Sequence, residues 1–132
     1  MRILAIDDEF AALKKMEVLL SHFGPCDAAT TGVQARNLYA LAIKEGRPYT
    51  LITIDIELPD VSGLELLKYF CSVERKSKKC ASKKIIITAH SNPDNVFDAS
   101  KYCNGFISKP VKKEVLRQKL KALGFEPLPE DA

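Results

Sequence analysis

The sequence predicts a three-layer α/β sandwich, (βα)5, in which a five-stranded parallel sheet lies between two layers of helices. Three observations predict it. Strand-like and helix-like patterns alternate along the whole chain of 132 residues. The candidate strands are continuous apolar runs, Ile85-Ile-Ile-Thr88 being the densest, as burial on both faces of a parallel sheet requires. Parallel strands need crossovers, and right-handed helical crossovers put helices on both faces.

Arg2-Ile-Leu-Ala-Ile-Asp-Asp8 reads as a first strand ending in two acids. Leu13, Met16, Leu20 and Phe23 then recur at helical spacing, and Gly24-Pro25 stops that helix. Cys26 to Thr30 is a short, weak second strand. Thr31 is placed to cap a second helix whose apolar face is read as Val33, Leu38, Leu41 and Ala42. Gly46 and Pro48 end it, and Tyr49 to Ile54 forms the third strand, closed by Asp55.

Leu58-Pro-Asp-Val-Ser-Gly63 is a turn cluster. Leu64, Leu67, Cys71 and Glu74 share one face of the third helix, with burial expected mainly in its first half. Lys84 to Thr88 is the fourth strand. Asn92-Pro93 opens a fourth helix, proline sitting just inside its start, and Asn104-Gly105 supplies the turn that follows. Phe106 to Ser108 is the fifth strand. Val111, Val115, Leu116, Leu120 and Leu123 mark a last helix closed by Gly124. The domain is thus expected over 1–124. The acidic, proline-containing tail 125–132 is too short for a further domain and suits the stub of a linker.

Composition narrows the function. Hydrophobic residues at 46% and charged residues at 28% give an ordinary globular balance and argue against disorder. A net charge of +3, without a basic stripe interleaved with aromatics, does not suggest nucleic-acid binding. The densest basic run, Arg75 to Lys84, reads as a solvated loop. No apolar stretch approaches the roughly 18 residues of a membrane helix, and Met1 runs directly into a strand without space for a signal peptide. Cys26, Cys71, Cys80 and Cys103 lack metal-ligand spacing, and His22 and His90 are isolated from them. Reduced thiols in a cytoplasmic protein are therefore expected.

Ligands of open parallel sheets bind beyond the carboxyl ends of the strands. Strands side by side bring Asp7, Asp8, Asp55, Thr88 and Lys109 to one such edge. Three carboxylates in close approach repel by about 1 to 4 kcal/mol per pair, and a hard cation removes that penalty. Mg²⁺ takes a few carboxylates and keeps waters, leaving room for phosphate oxygens. Asp55 can attack phosphorus to form an acyl phosphate, while Lys109 and the Thr88 hydroxyl hold equatorial oxygens. The alternative for Asp7-Asp8-Glu9 is simple capping of the first helix. Thr88 and Lys109 taken singly are ordinary strand-end residues.

An Asp-Asp pair, an Asp followed four residues later by Pro and eight later by Gly, Thr-Ala and Lys-Pro occur together over roughly residues 2 to 123. In this combination the chain resembles a response-regulator receiver domain of two-component signalling (CheY-like). The resemblance implies a doubly wound, flavodoxin/CheY-like strand order 2-1-3-4-5. It implies Asp55 as phosphoacceptor, Asp8 as direct metal-binding acid, Asp7 as its partner and the Glu57 carbonyl as a further Mg²⁺ ligand. It also implies Thr88 as switch hydroxyl, Lys109 as phosphate-binding lysine in a cis Lys109-Pro110 bond, and Phe106 as switch aromatic. Glu57 and His90 occupy the positions that flank the water path, where they are expected to tune dephosphorylation. The alternative is that both are solvated loop residues.

The resemblance further implies a histidine kinase or phosphotransfer protein as donor. An unidentified downstream protein would read the face formed by the fourth helix, fifth strand and fifth helix. The module catalyses its own modification and turns over no external metabolite. A monomer is the default, with a dimer through the fourth and fifth elements as the alternative. A receiver excised from a larger regulator or hybrid kinase stays open, as does a degenerate receiver that signals without phosphate. An Mg²⁺-dependent phosphatase fits less well, since such enzymes usually carry an Asp where this chain has Glu57.

Overall fold

The computed structural model of the protein describes residues 1–77, 81–89 and 98–129. The elements are β1 (Ile3–Ile6), α1 (Phe10–Ser21), β2 (Cys26–Ala29), α2 (Gly32–Lys44), β3 (Leu51–Asp55), α3 (Gly63–Lys76), β4 (Lys83–Thr88), β5 (Gly105–Ser108) and a C-terminal helix (Lys113–Ala122). All strand pairs are parallel, in the order β2-β1-β3-β4-β5. The fourth helix expected from Asn92 lies mostly outside the described residues. Its end is visible as helical residues 98–100, with Ala99 buried.

Strand side chains alternate between two cores. Ile3, Ala5, Leu51, Ile85, Ile87 and Ile107 pack with Leu13, Met16 and Leu20 of α1 and with Leu116 and Leu120 of the C-terminal helix. Leu4, Ile6, Ile52, Ile54 and Ile86 pack on the other face with residues of α2 and α3. Consecutive residues Ile85, Ile86 and Ile87 therefore serve different layers. Each contributes about 1.5–3 kcal/mol of burial. Among the described residues no helix is long and apolar enough to cross a membrane.

Helix faces depart from the sequence reading in three places. In α2 the Thr31 cap is present, its hydroxyl accepting the Gln34 N–H at 3.1 Å. Val33 and Leu41, however, are 57% and 51% exposed, while Gly32, Ala35, Tyr39 and Ala42 are buried. The small residues let the helix lie close to the sheet, so Val33 and Leu41 are turned outward, while Leu38 packs partly buried on the core. In α3 the buried face is Leu66, Leu67 and Phe70, about one residue round from Leu64 and Cys71. In the C-terminal helix Leu116 and Leu120 are buried, whereas Val115 faces solvent and Val111 is buried before the helix begins.

The end of the basic run is not solvated either. Lys84 is buried in β4, with its Nζ 2.8 Å from Glu74 Oε1. Glu74 also accepts from the Ser82 amide (2.9 Å), the Ser82 hydroxyl (2.8 Å) and the Tyr39 hydroxyl (2.7 Å). Four donors satisfy one carboxylate, which is the condition for burying it. Beyond Gly124, Phe125 packs on the α1 side of the core, and the Leu128 N–H donates to the His22 carbonyl at 2.6 Å.

Candidate functional site

The register of the sheet sets the site. Ile6 pairs with Ile54, Asp55 with Ile87, and Thr88 with Ser108, so the carboxyl ends of β1, β3, β4 and β5 lie side by side. Asp7 follows β1, Asp55 and Thr88 end their strands, and Lys109 follows β5. All five residues expected at this edge are brought to it. Asp7, Asp55 and Thr88 are buried, and Asp8 is exposed.

Two aspartates are held by the same local device. Asp7 Oδ1 accepts the Glu9 N–H at 2.9 Å, and Asp55 Oδ1 accepts the Glu57 N–H at 3.0 Å. An Asp bonding the amide two residues on forms an Asx turn, which fixes each carboxylate as its strand ends. The remaining oxygens share one cation: Lys109 Nζ lies 2.9 Å from Asp7 Oδ2 and 3.1 Å from Asp55 Oδ2. Lys109 is steadied in turn by its own N–H, which donates to the Thr88 carbonyl at 2.9 Å. The Lys109-Pro110 bond is cis.

Glu9 stands at the N-cap of α1 without a side-chain cap hydrogen bond. Its own carboxylate therefore does not cap that helix, whereas Asp7 holds the Glu9 amide. One carboxylate oxygen from each of Asp7, Asp8 and Asp55 lies within 4.8 Å of the others, a cluster able to hold a metal ion. Against three carboxylates Lys109 supplies one positive charge, so a divalent cation would balance the remainder. Burial raises the Asp55 carboxyl above its ordinary value, against the lowering effect of the Glu57 amide and of Lys109. Burial lowers Lys109, but its hydrogen bonds to Asp7 and Asp55 outweigh this and leave it raised.

The acids open onto a cleft of about 320 Å³ lined by Asp8, Glu9, Asp55, Glu57, Leu58, Pro59, Ala89 and Lys109. Gly63 explains how its β3–α3 wall is built. A Cβ there would sit 2.5 Å from Ile56 Cα and 2.8 Å from the Asp55 carbonyl, and the Gly63 N–H donates to Ile56 O at 2.8 Å. Phe106 is half-buried and packs against the α2/α3 core. It pairs with Ile86 two residues before the Thr88–Ser108 pair, so Phe106 and Thr88 are diagonal neighbours on one sheet face. Glu57 is exposed on the cleft rim, whereas His90 lies outside the described residues.

Sequence reasoning missed Asp60, whose carboxylate ties the β3–α3 loop to α2: Oδ1 accepts the Gly32 N–H at 2.8 Å and Oδ2 the Val33 N–H at 2.9 Å. Its partners are 28 and 27 positions away, and no local pattern announces them.

Comparison with known proteins agrees with this fold. A family model, the response regulator receiver domain, matches residues 3–121. The two-component response regulator ARR12 of Arabidopsis thaliana is 32% identical over 120 residues, which cover 89% of this chain and 18% of that protein. This chain thus spans under a fifth of that relative's length. The crystal structure of a CheY-like receiver domain protein from Methanospirillum hungatei JF-1 matches with a TM-score of 0.74 at 28% identity, covering 92% of this chain and 91% of that one. The Ssk1 receiver domain of Saccharomyces cerevisiae, crystallised with the histidine phosphotransfer protein Ypd1, shares the fold. Its TM-score is 0.79 at 24% identity, over 94% of this chain and 88% of that one.

Proposed function

The chain belongs to the response regulator receiver domain family of two-component signalling, and from that premise we propose that Asp55 is its phosphoacceptor. The supporting observation is the shared Lys109 contact with Asp7 and Asp55 beside a cleft of about 320 Å³. An Asp55 carboxylate oxygen attacks phosphorus of a phosphohistidine on a kinase or phosphotransfer protein. The new O–P bond forms as the N–P bond breaks, and the imidazole leaves. The Glu57 amide holds the other carboxylate oxygen and orients the nucleophile. Lys109 moves from the carboxylates to the arriving phosphoryl oxygens, and the Thr88 hydroxyl donates to another.

Mg²⁺ suits the donor set: Asp7, Asp8, Asp55 and the Glu57 carbonyl would hold it, and it would neutralise charge on the transferring phosphoryl group. Among the described residues the site offers carboxylate oxygens without thiolate or imidazole, the choice of a hard cation. Phosphorylation adds nearly two negative charges. As Thr88 is drawn toward them, the space behind it opens to Phe106, and the β5 face repacks. The exposed Glu57, with His90, is proposed to tune loss of the phosphoryl group. The chemistry is self-modification in a reducing, cytoplasmic setting, which fits the free thiols of Cys26, Cys71 and Cys103.

A second reading is favoured by the share of ARR12 that the chain covers: a receiver belonging to a larger regulator, whose attached domain is its output. Intact-mass measurement after incubation with acetyl phosphate tests the primary reading. A labile gain of one phosphoryl group is expected with Mg²⁺ and not with EDTA, and not in Asp55→Asn. Equal labelling of that variant would refute it.

A further inference from the structure

The loop between β3 and α3 supplies Glu57, Leu58 and Pro59 to the wall of the cleft. Its root is closed by the Gly63 N–H to Ile56 O bond and by the bridge between Glu57 and Ser62. Its tip is held elsewhere. The Asp60 carboxylate spans the first two amides of α2, one oxygen to Gly32 and the other to Val33. The fit is close, since a Cβ on Gly32 would overlap the Val61 side chain. The Gly32 and Val33 amides also hold the Asp60 carboxyl below its ordinary value. A carboxylate at a helix N-terminus is favourable, but Thr31 already caps α2 through Gln34. The contact from Asp60 does something further: it fixes one end of a loop whose other end is the phosphoryl cleft.

We propose that Asp60 is a positioning residue, holding the Glu57–Pro59 wall at the spacing from Asp7, Asp8 and Asp55 that cation binding requires. This rests on the reading above, in which the Glu57 carbonyl and the three acids bind Mg²⁺. Without Asp60 the Gly32 and Val33 amides turn to water at little cost to the helix. The loop then samples positions in which the Glu57 carbonyl is withdrawn, and only a fraction of molecules is competent to bind. Apparent affinity falls by that fraction.

The test is calorimetric titration of Mg²⁺ into the full chain at a temperature where each variant is folded. Asp60→Ala is expected to weaken binding about three- to tenfold, at or below the low end of the roughly 10–100-fold lost with outer-sphere partners. Asp60→Asn, which keeps one acceptor oxygen, is expected between Asp60→Ala and wild type. It also serves as the measurement should the alanine variant fail to fold. Thr31→Ala removes a cap from the same helix without touching the loop, and is expected to bind as wild type. Wild-type affinity in the Asp60 variants overturns the proposal, as does equal weakening by Thr31→Ala. Failure of the wild type to bind Mg²⁺ instead removes the functional reading beneath it.

Discussion

The Lys109 ammonium lies 3.1 Å from Asp55 Oδ2, so the proposed nucleophile rests in an ion pair with the group proposed to hold the phosphoryl oxygens. Lys109→Met leaves Asp7 and Asp55 facing each other without a cation. Because the site opens to solvent, the loss should fall below the roughly 3–5 kcal/mol of a fully buried pair, at about 1–3 kcal/mol by urea unfolding. With the local cation gone, calorimetry should find Mg²⁺ bound more tightly than in wild type. Weaker binding would show that Lys109 does not compete with the metal.

Gly63→Ala places a methyl group against backbone atoms of Ile56 and Asp55, which cannot rotate aside. The expected cost is about 2 kcal/mol or more from overpacking, together with slower phosphorylation by acetyl phosphate, because the displaced segment carries the nucleophile. Ala at Gly46, where nothing lies within 4 Å of an added Cβ but φ is +74°, is the comparison. It should lower stability while leaving the phosphorylation rate unchanged.

Thr88 and Phe106 are diagonal neighbours on one sheet face, which places them for the proposed switch. Thr88→Ala should still accept a phosphoryl group at Asp55. In NMR spectra of the phosphorylated variant, however, the Phe106 ring resonances should remain where they are in the unmodified protein. A full wild-type response in Thr88→Ala would disconnect the two residues.

Glu74 gives the stability a defined acid limb. Burial raises its carboxyl, but the bonds from Lys84, Ser82 and Tyr39 outweigh this and hold it below the ordinary 4.5. The unfolded chain therefore takes up this proton first as pH falls. In the window below 4.5 the unfolded state binds more protons, so stability is present above it and is lost as pH drops through the folded value. Glu74→Gln should flatten that part of the urea-midpoint profile. Lys84→Met alone should cost about 3–5 kcal/mol, and the double variant Glu74→Leu/Lys84→Met much less.

The architecture was legible because its signals are local. Apolar runs that end in Asp7, Asp55, Thr88 and Lys109 mark both the strands and the edge where they terminate. The face of α2 was legible only in part: Ala42 was expected there and is buried, but Gly32 and Ala35 are buried by close approach, which a count of large aliphatics overlooks. Glu74 and Lys84 hide for a related reason. Each looks like a surface residue until the partner ten positions away is known, although a carboxylate sharing a face with Leu67 was a usable sign. Asp60 requires the whole βα crossover before its partners appear.

Asp55 as the proposed carrier of the phosphoryl group can be located chemically. The most direct measurement is to treat the protein with acetyl phosphate and Mg²⁺, reduce with borohydride, and sequence the peptides by mass spectrometry. Reduction of an aspartyl phosphate yields homoserine. Homoserine is expected at position 55 and nowhere else; homoserine at Asp7 or Asp8, or the five-carbon alcohol 2-amino-5-hydroxypentanoic acid at Glu57, with position 55 unchanged would overturn the assignment of Asp55.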